Sequence, residues 1–530
     1  MQPSHIGVLG GGLSGLSAAF HLARRFPAPA TRITLIEGAA RLGGWVRSER
    51  VVVQTEDGRR GNVLLEAGPR TLRPNSPAVL ELINLLGLDS SLVTVPRTAP
   101  AAQNRFLHVP GTRGLVRIPN SISSILTSPL GKTLMAAGLR DLLRPENGPL
   151  NDSLDMDESV DAFLSRRFGH DFARTFGSAL VHGIYATDSR LLSVRATFPM
   201  LYDMAARGRG SVFRGALASA LSQSKKDDTA KDYDLGDVQS KMKDVSVFSF
   251  KNGLESVVKE MEAKLQQLGV HLIKGDEVSS LVAREGVPDD IFEIHTKSGA
   301  SHRFSHFVSA LPLPTLHTLV QTSSPSQSQQ SVLRTIDTFL AVPASSVTVV
   351  NLVFPAYSRE GRPLYLHPPG FGYLVPRPRS GYDATATRPE NPLGILGTVF
   401  DSCALAEQDE METPSGAGPA FVKMTVMLGG PYYASLPYPW NDNLRLLLPF
   451  LPRTLSMHLS TELPEPIFHR VHHHAACIPP PGVGHLARVR ELREHIQRLW
   501  RGRGEVIGAG VGGVSVGDCI EGGRRVGRDW

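Results

Sequence analysis

The sequence predicts an α/β fold, and three observations carry that prediction. First, Ile6-Gly7-Val8-Leu9 is a short apolar run that leads through a glycine-rich turn and an amphipathic helix into a second apolar run, Arg32 to Ile36. Second, Val506-Ile507 near the other end enters another glycine-rich turn, through Gly508, Gly510, Gly512 and Gly513. Third, strand-like runs such as Ser346 to Phe354 and Val422 to Leu428 follow a stretch, residues 91–220, that reads as mostly helical.

Composition bounds the answer. The chain has 530 residues, 41% hydrophobic and 20% charged, which excludes a disordered chain and allows a large core. At ~150 residues per domain, about three domains or subdomains are expected. A net charge of +6 is too diffuse over this length to argue for nucleic acid. Three cysteines (Cys403, Cys477 and Cys519) exclude a disulfide framework and a cysteine-based metal site as organising features. No apolar run approaches the ~18 residues that span a bilayer. A buried-strand pattern begins at Ile6 with no charged segment before it, so no secretory signal is expected, and an organellar address would be internal.

The N-terminal motif carries the strongest chemistry. Gly10-x-Gly12-x-x-Gly15 sits between the Ile6 strand and a helix marked by Leu16, Ala19, Phe20 and Ala23, ending near Arg24 and Arg25. Gly10 permits the tight turn, Gly12 lets a pyrophosphate approach the backbone, and Gly15 lets the helix pack closely on the strand. With Gly11, Leu13 and Ser14, this loop offers free helix N–H groups to phosphates. Glu37 ends the second strand 22 residues beyond Gly15, close to the ~20 expected for an acid that takes a ribose 2′-OH. A carboxylate there disfavours a 2′-phosphate. The expected domain is Rossmann-like and binds a dinucleotide.

Gly38, Arg41, Gly43, Gly44 and Trp45 follow Glu37. This acid–spacer–Arg-x-Gly-Gly order resembles the flavoprotein superfamily that includes amine oxidases and phytoene desaturases, which implies FAD. In that superfamily the FAD domain is discontinuous. The resemblance assigns the C-terminal turn, with Ala509, Val514, Ser515, Val516 and Asp518, to the flavin. It also puts Val278, in Lys274-Gly275-Asp276-Glu277-Val278, in backbone contact on the adenine side. Cys519 lies outside the sequence context of covalent flavin attachment, so the FAD is expected to be noncovalent. Only the residues up to Trp530 remain for a last helix, which leaves it little room.

Further blocks resemble the protoporphyrinogen oxidase family, in that family's order along nearly the whole chain and nearest its eukaryotic mitochondrial branch. They are Gly68-Pro69-Arg70-Thr71, Ala102-Gln103-Asn104-Arg105-Phe106, Leu192-Ser193-Val194-Arg195, Phe371-Gly372-Tyr373-Leu374-Val375-Pro376 and Val426-Met427-Leu428-Gly429-Gly430. The resemblance implies oxidation of protoporphyrinogen IX to protoporphyrin IX in haem synthesis, in three flavin cycles, with O2 as acceptor and hydrogen peroxide as product. It implies that Arg105 anchors a propionate, that Phe371, Gly372 and Leu374 sandwich the macrocycle, and that Val399 and Met427 extend the apolar lining. Gly68, Pro69, Arg70 and Thr71 fall on the flavin side. No protein general base is identified. The alternatives are an amine oxidase, a carotenoid desaturase, or a flavin-containing protein that binds porphyrin without turnover.

The resulting map places the FAD-binding domain at 1–90, 250–310 and 491–530, a helical membrane-binding and substrate domain at 91–220, and a mixed-sheet substrate domain at 311–490. A charged insert or loop occupies 221–249, and Ser323 to Ser331 reads as a solvated or disordered Ser/Gln-rich segment. Ile122 to Arg144 has leucines and isoleucines near helical period with Lys132, Arg140 and Arg144 between them. It reads equally as a core-facing helix pair broken at Pro129 or as a monotopic membrane contact. The resemblance favours the membrane: the mitochondrial inner membrane, on the intermembrane-space side. It also implies a homodimer and a ferrochelatase that receives the product. His472-His473-His474 is not expected to hold a metal, because adjacent strand residues point to opposite faces and no ligand partner has metal spacing. No metal and no nucleic acid are expected.

Overall fold

The computed structural model describes residues 3–109, 112–143, 157–221, 232–283, 292–321, 326–382, 390–411, 420–433 and 448–530. A five-stranded sheet runs in the order Gly504–Val506, His306–Ser309, His5–Leu9, Arg32–Glu37 and His271–Lys274, with every pairing parallel. Ile6, Val8, Leu9, Leu35 and Ile36 are buried, as the strands of a sheet covered on both faces must be. Both chain ends therefore enter one sheet, with His306–Ser309 between them.

The helix Leu13–Arg25 lies between this sheet and a C-terminal helix, Val516–Asp529. The short ending expected from the sequence is corrected here. The last helix has 14 residues, opened by a Ser515–Asp518 capping box. It fits because it crosses the first helix closely. A Cβ on Gly523 would lie 2.5 Å from Ser14 O and Ala18 N.

A seven-stranded mixed sheet runs in the order Phe468–Ile478, Ser345–Pro355, Phe421–Gly429, Ile395–Val399, Gly372–Leu374, Phe106–Leu107 and Val116–Arg117. Its pairings are antiparallel except between Gly372–Leu374 and Phe106–Leu107. One face is sealed: Tyr373, Val426 and Val350 are buried with Leu451, Leu455 and Leu459 of the helix Leu451–Leu459. The other face carries Leu374, Val399 and Met427, which stay half-buried.

Three further expectations need correction. Residues 91–118 are not helical in the main. Leu92–Pro96 pairs with Val245–Phe250, and Phe106–Leu107 and Val116–Arg117 close the mixed sheet; apart from the single turn Pro100–Gln103, the helices begin at Ile122. The charged segment 221–249 is not a loop throughout. From residue 232 it packs Leu235, Val238, Met242 and Val245 into the main core, while Lys241 pairs with Asp89 at the surface. Its charges face water, and its apolar residues recur often enough to hold it down. The Ser/Gln-rich segment starts a helix: Ser326 caps Gln327–Leu340 with a capping box to Gln329, and Val332 and Ile336 are buried. Residues 322–325, 222–231 and 144–156, the last including Arg144, lie outside the described residues.

Candidate active site

At the N-terminal loop, Gly10 has φ 96° and donates its N–H to Ile36 O at 2.8 Å. That conformation favours glycine. A side chain on Gly15 would run into Gly10 O, whereas one on Gly12 would meet nothing within 4 Å. Gly12 caps the helix Leu13–Arg25 with no side-chain hydrogen bond. The helix N-terminus is therefore open on its Gly12 side, where backbone N–H groups and the helix dipole favour phosphate.

Glu37 lies beside this loop. Its carboxylate accepts from Gly11 N at 2.6 Å and from Ala39 N at 2.8 Å. Asp276 N donates to Glu37 O and Gly275 N to Ala39 O, which brings the 275–278 segment, ending in Val278, alongside Glu37 and Gly38. Arg41 turns to the neighbouring backbone. Its guanidinium donates to the carbonyls of Leu42, Gly44 and Val46, bracing the Gly43-Gly44-Trp45 turn. Gly43 N donates to Gly11 O at 2.8 Å, so this turn is tied to the phosphate loop.

Gly68 touches the same turn: a Cβ on it would lie 2.5 Å from Trp45 O. Pro69, Arg70 and Thr71 continue from there to Leu72, which exchanges backbone hydrogen bonds with Phe248. Val516, from the C-terminal segment, lines one small apolar cavity with Leu13, Val46 and Leu72. Ser515 and Asp518 spend their side chains on each other, and Val514 packs on the helical cluster around Val194. Ala509 follows Gly508, whose backbone passes close to Ser14. Burial pushes the Cys519 thiol up, which keeps it protonated. A Cβ on Gly44 would lie 3.5 Å from Gly12 Cα, so Gly12, Gly44 and Glu37 gather at the open helix N-terminus, a set of groups that fits FAD.

The mixed sheet supplies the facing wall. Leu374, Gly397, Met427, Val349 and His472 form one cross-strand row. Gly372, Val399, Thr425, Asn351 and Arg470 form the next, two residues along each strand and on the same face. Leu374, Val399 and Met427 stay only half-buried although they lie mid-sheet among buried neighbours. A Cβ on Gly183, in the helix Ser178–Tyr185, would come within 2.9 Å of Leu374, so that helix passes beside the row.

Phe371 N donates to Asn104 O at 2.9 Å, which ties the Arg105 segment to the sheet edge. The Phe371 ring packs partly on Ala101 and Val247. Arg105 has no carboxylate partner among the described residues. Burial, and then the charge of Arg73, lowers its affinity for its proton.

The sequence reading missed several residues on this face. His472 and His474 are two apart and share the site face, while His473 points the other way, to Thr348. His474 Nε2 donates to Ala67 O at 2.7 Å, and the ring lies edge-on to Trp45. Among the described residues no cluster could hold a metal. Glu66 is buried, accepts from Leu254 N and Ser48 Oγ, and is pushed up to about 7 by burial. Arg70, Asp401, Thr425 and Asn351 form a buried polar chain. The spacing of 472 and 474 could have marked the histidines. No sequence signal links Asp401 to Arg70, which is 331 positions away.

A family model described as flavin containing amine oxidoreductase matches residues 13–529. The chain is 33% identical over 531 residues to the protoporphyrinogen oxidase of Macaca fascicularis, covering 98% of this chain and 96% of that one. It is 30% identical over 541 residues to that of Schizosaccharomyces pombe, covering 99% and 98%. A crystal structure from Exiguobacterium sp. 255-15 shares the fold at a TM-score of 0.72 and 19% identity, covering 100% of this chain and 99% of that one. The dinucleotide cradle around Gly12 and Glu37 makes the flavin FAD. The chain belongs to the flavin-containing amine oxidoreductase family, on its protoporphyrinogen oxidase branch.

Proposed function

We propose that this protein oxidises protoporphyrinogen IX to protoporphyrin IX in haem biosynthesis, with O2 as electron acceptor and hydrogen peroxide as product. One observation supports the reading most: half-buried Leu374, Val399 and Met427 share one sheet face, with Arg105, which has no acidic partner among the described residues, on a neighbouring segment. A mostly apolar cavity with a cation at its edge suits a flat, greasy macrocycle with propionates. The names of the relatives support the same substrate.

Bound FAD supplies the hydride acceptor. The chain's residues do the rest. Leu374, Val399 and Met427 bear on one face of the macrocycle and keep water off it. Gly372 leaves room at the sheet surface, and Phe371 supports the turn that carries Arg105. Arg105 takes a propionate through charge-assisted hydrogen bonds. Gly10 to Gly15, Glu37, Gly38, the Gly43–Trp45 turn braced by Arg41, Gly68 to Thr71, Val278, Ala509, Val514 to Val516 and Asp518 hold the cofactor.

The proposal includes a monotopic seat on the mitochondrial inner membrane, facing the intermembrane space. No helix among the described residues is long and apolar enough to cross a membrane. Leu139, Leu142 and Leu143 on the helix Gly131–Leu143, and Phe213, Leu217 and Leu221 on Val212–Leu221, are all exposed. Asp141 joins the two helices, accepting from Ser211 Oγ and from the N–H groups of Val212 and Phe213. An exposed apolar group of this size suits the headgroup–acyl boundary. A homodimer and product transfer to a ferrochelatase belong to the same proposal.

The test is an aerobic assay of detergent-solubilised holoprotein with protoporphyrinogen IX, read as porphyrin fluorescence above the autoxidation blank and as peroxide. FAD-dependent turnover is expected. Bound FAD without turnover would send the substrate search to amines and polyenes.

A further inference from the structure

We propose that Asp401 is a positioning residue that sets the charge, and so the reduction potential, of the flavin site through Arg70. The inference rests on the reading that Arg70 lies on the flavin side. Both side chains are deeply buried, and Arg70 Nη1 lies 3.1 Å from Asp401 Oδ1. Asp401 Oδ2 accepts from the Thr425 hydroxyl at 2.7 Å. Thr425 Oγ1 accepts from the Asn351 amide at 2.9 Å, and Asn351 also donates to Glu66 O at 3.2 Å.

Each end of this chain belongs to a different wall of the site. Glu66 and Arg70 flank Gly68, which touches the Trp45 turn. Asn351 and Thr425 are cross-strand partners in the row that includes Gly372 and Val399. The donors run in one direction, from Asn351 through Thr425 to Asp401, and leave Asn351 Oδ1 buried without a partner among the described residues. Among the described residues, Asp401 is the only acid paired with Arg70.

The consequence is electrostatic. A buried ion pair is weak evidence for stability, because desolvation offsets the attraction. Its effect on a neighbouring redox group is large, because charges act strongly where water is excluded. Arg70 alone would favour the reduced, more negative flavin. Asp401 cancels that charge and keeps the flavin a better electron donor to its acceptor. Thr425, itself held by Asn351, keeps the carboxylate aimed at Arg70.

The test is the midpoint potential of purified holoprotein by dye equilibration at pH 8.5, above the Glu66 transition. It needs no tetrapyrrole, so its outcome is independent of the substrate assignment. Asp401→Asn keeps the shape and removes the charge. It should raise the flavin reduction equilibrium at least tenfold, a positive shift of about 30 mV for a two-electron couple. Asp401→Glu should stay near wild type, and the doubly neutral Asp401→Asn/Arg70→Gln should return towards it. A midpoint in Asp401→Asn that is unchanged or shifted to a more negative value would overturn the proposal. If Asp401→Asn yields no holoprotein, the double variant decides: FAD bound at the wild-type midpoint supports charge cancellation. Loss of FAD from both overturns it and makes the pair a structural tie.

Discussion

Two residues carry the sharpest consequences at the smallest scale. Arg105 is the one expected anchor that the structure leaves without an acidic partner among the described residues. Arg105→Ala should keep FAD and lose about 1.5–3 kcal/mol of substrate binding, read as a raised KM at normal flavin content. An unchanged KM would remove the anchor role. Glu66 carries a pH signature. Burial lifts it from 4.5 to about 7 in the folded chain. Between those values the native state keeps a proton that the unfolded chain has lost. Stability should therefore fall as pH rises from 4.5 to 7, by about 3 kcal/mol if Glu66 acted alone. Glu66→Gln keeps an acceptor for Leu254 N and a partner for Ser48, so it should flatten that slope and raise Tm at pH 8. A Tm profile that keeps the wild-type slope in this variant would show that another group causes it. Arg105 was legible because it stands in a recognisable block. Glu66 was not, because its burial depends on Leu254 and Ser48, which lie far apart in sequence.

Elements show why half of the flavin site could be read and half could not. The strand–turn–helix of residues 5–25 is local, so Gly10, Gly12 and Gly15 announced it. The C-terminal helix was underestimated because its stability comes from contact with the first helix rather than from its own sequence, which holds Gly517, Gly522, Gly523 and Gly527. Gly523 and Gly527 make sense only against Leu13–Arg25, where a Cβ would strike Ser14, Ala18 or His21, whereas Gly517 faces Ser76. Gly523→Leu should push the two helices apart, costing about 1–3 kcal/mol and releasing FAD, because the displaced helix carries the phosphate loop. Thermal shift with and without added FAD measures both effects. A variant that binds FAD normally would show that the crossing can relax. The Ser326 capping box teaches the same lesson in reverse. A Ser/Gln-rich composition looked solvated, yet Ser326 and Gln329 stood at capping-box spacing, and the apolar Val332 and Ile336 stood at helical spacing behind them.

At the scale of the whole molecule, three distant parts of the chain meet: the phosphate loop and its braced turn, the Gly68–Arg70 segment, and one face of the mixed sheet, whose His474 touches both Trp45 and Ala67. Alternation along Gly372–Leu374 and Phe421–Gly429 determines that Leu374 and Met427 share one face while Tyr373 and Val426 face the core. The sequence blocks named these residues, but only the register puts them in one row. The same scale separates catalysis from location. Leu217→Glu and Leu139→Glu together should abolish sedimentation with cardiolipin-containing vesicles and leave detergent-phase turnover within about twofold, since both side chains are exposed. Undiminished vesicle binding would move the membrane contact elsewhere.

The central claim is that a tetrapyrrole is oxidised at this flavin. It is tested most directly by anaerobic titration of the holoprotein with protoporphyrinogen IX, following flavin absorbance and porphyrin fluorescence together. The account predicts that the flavin bleaches and that one porphyrin forms for every three flavins reduced. Flavin that stays oxidised while remaining reducible by dithionite would contradict it.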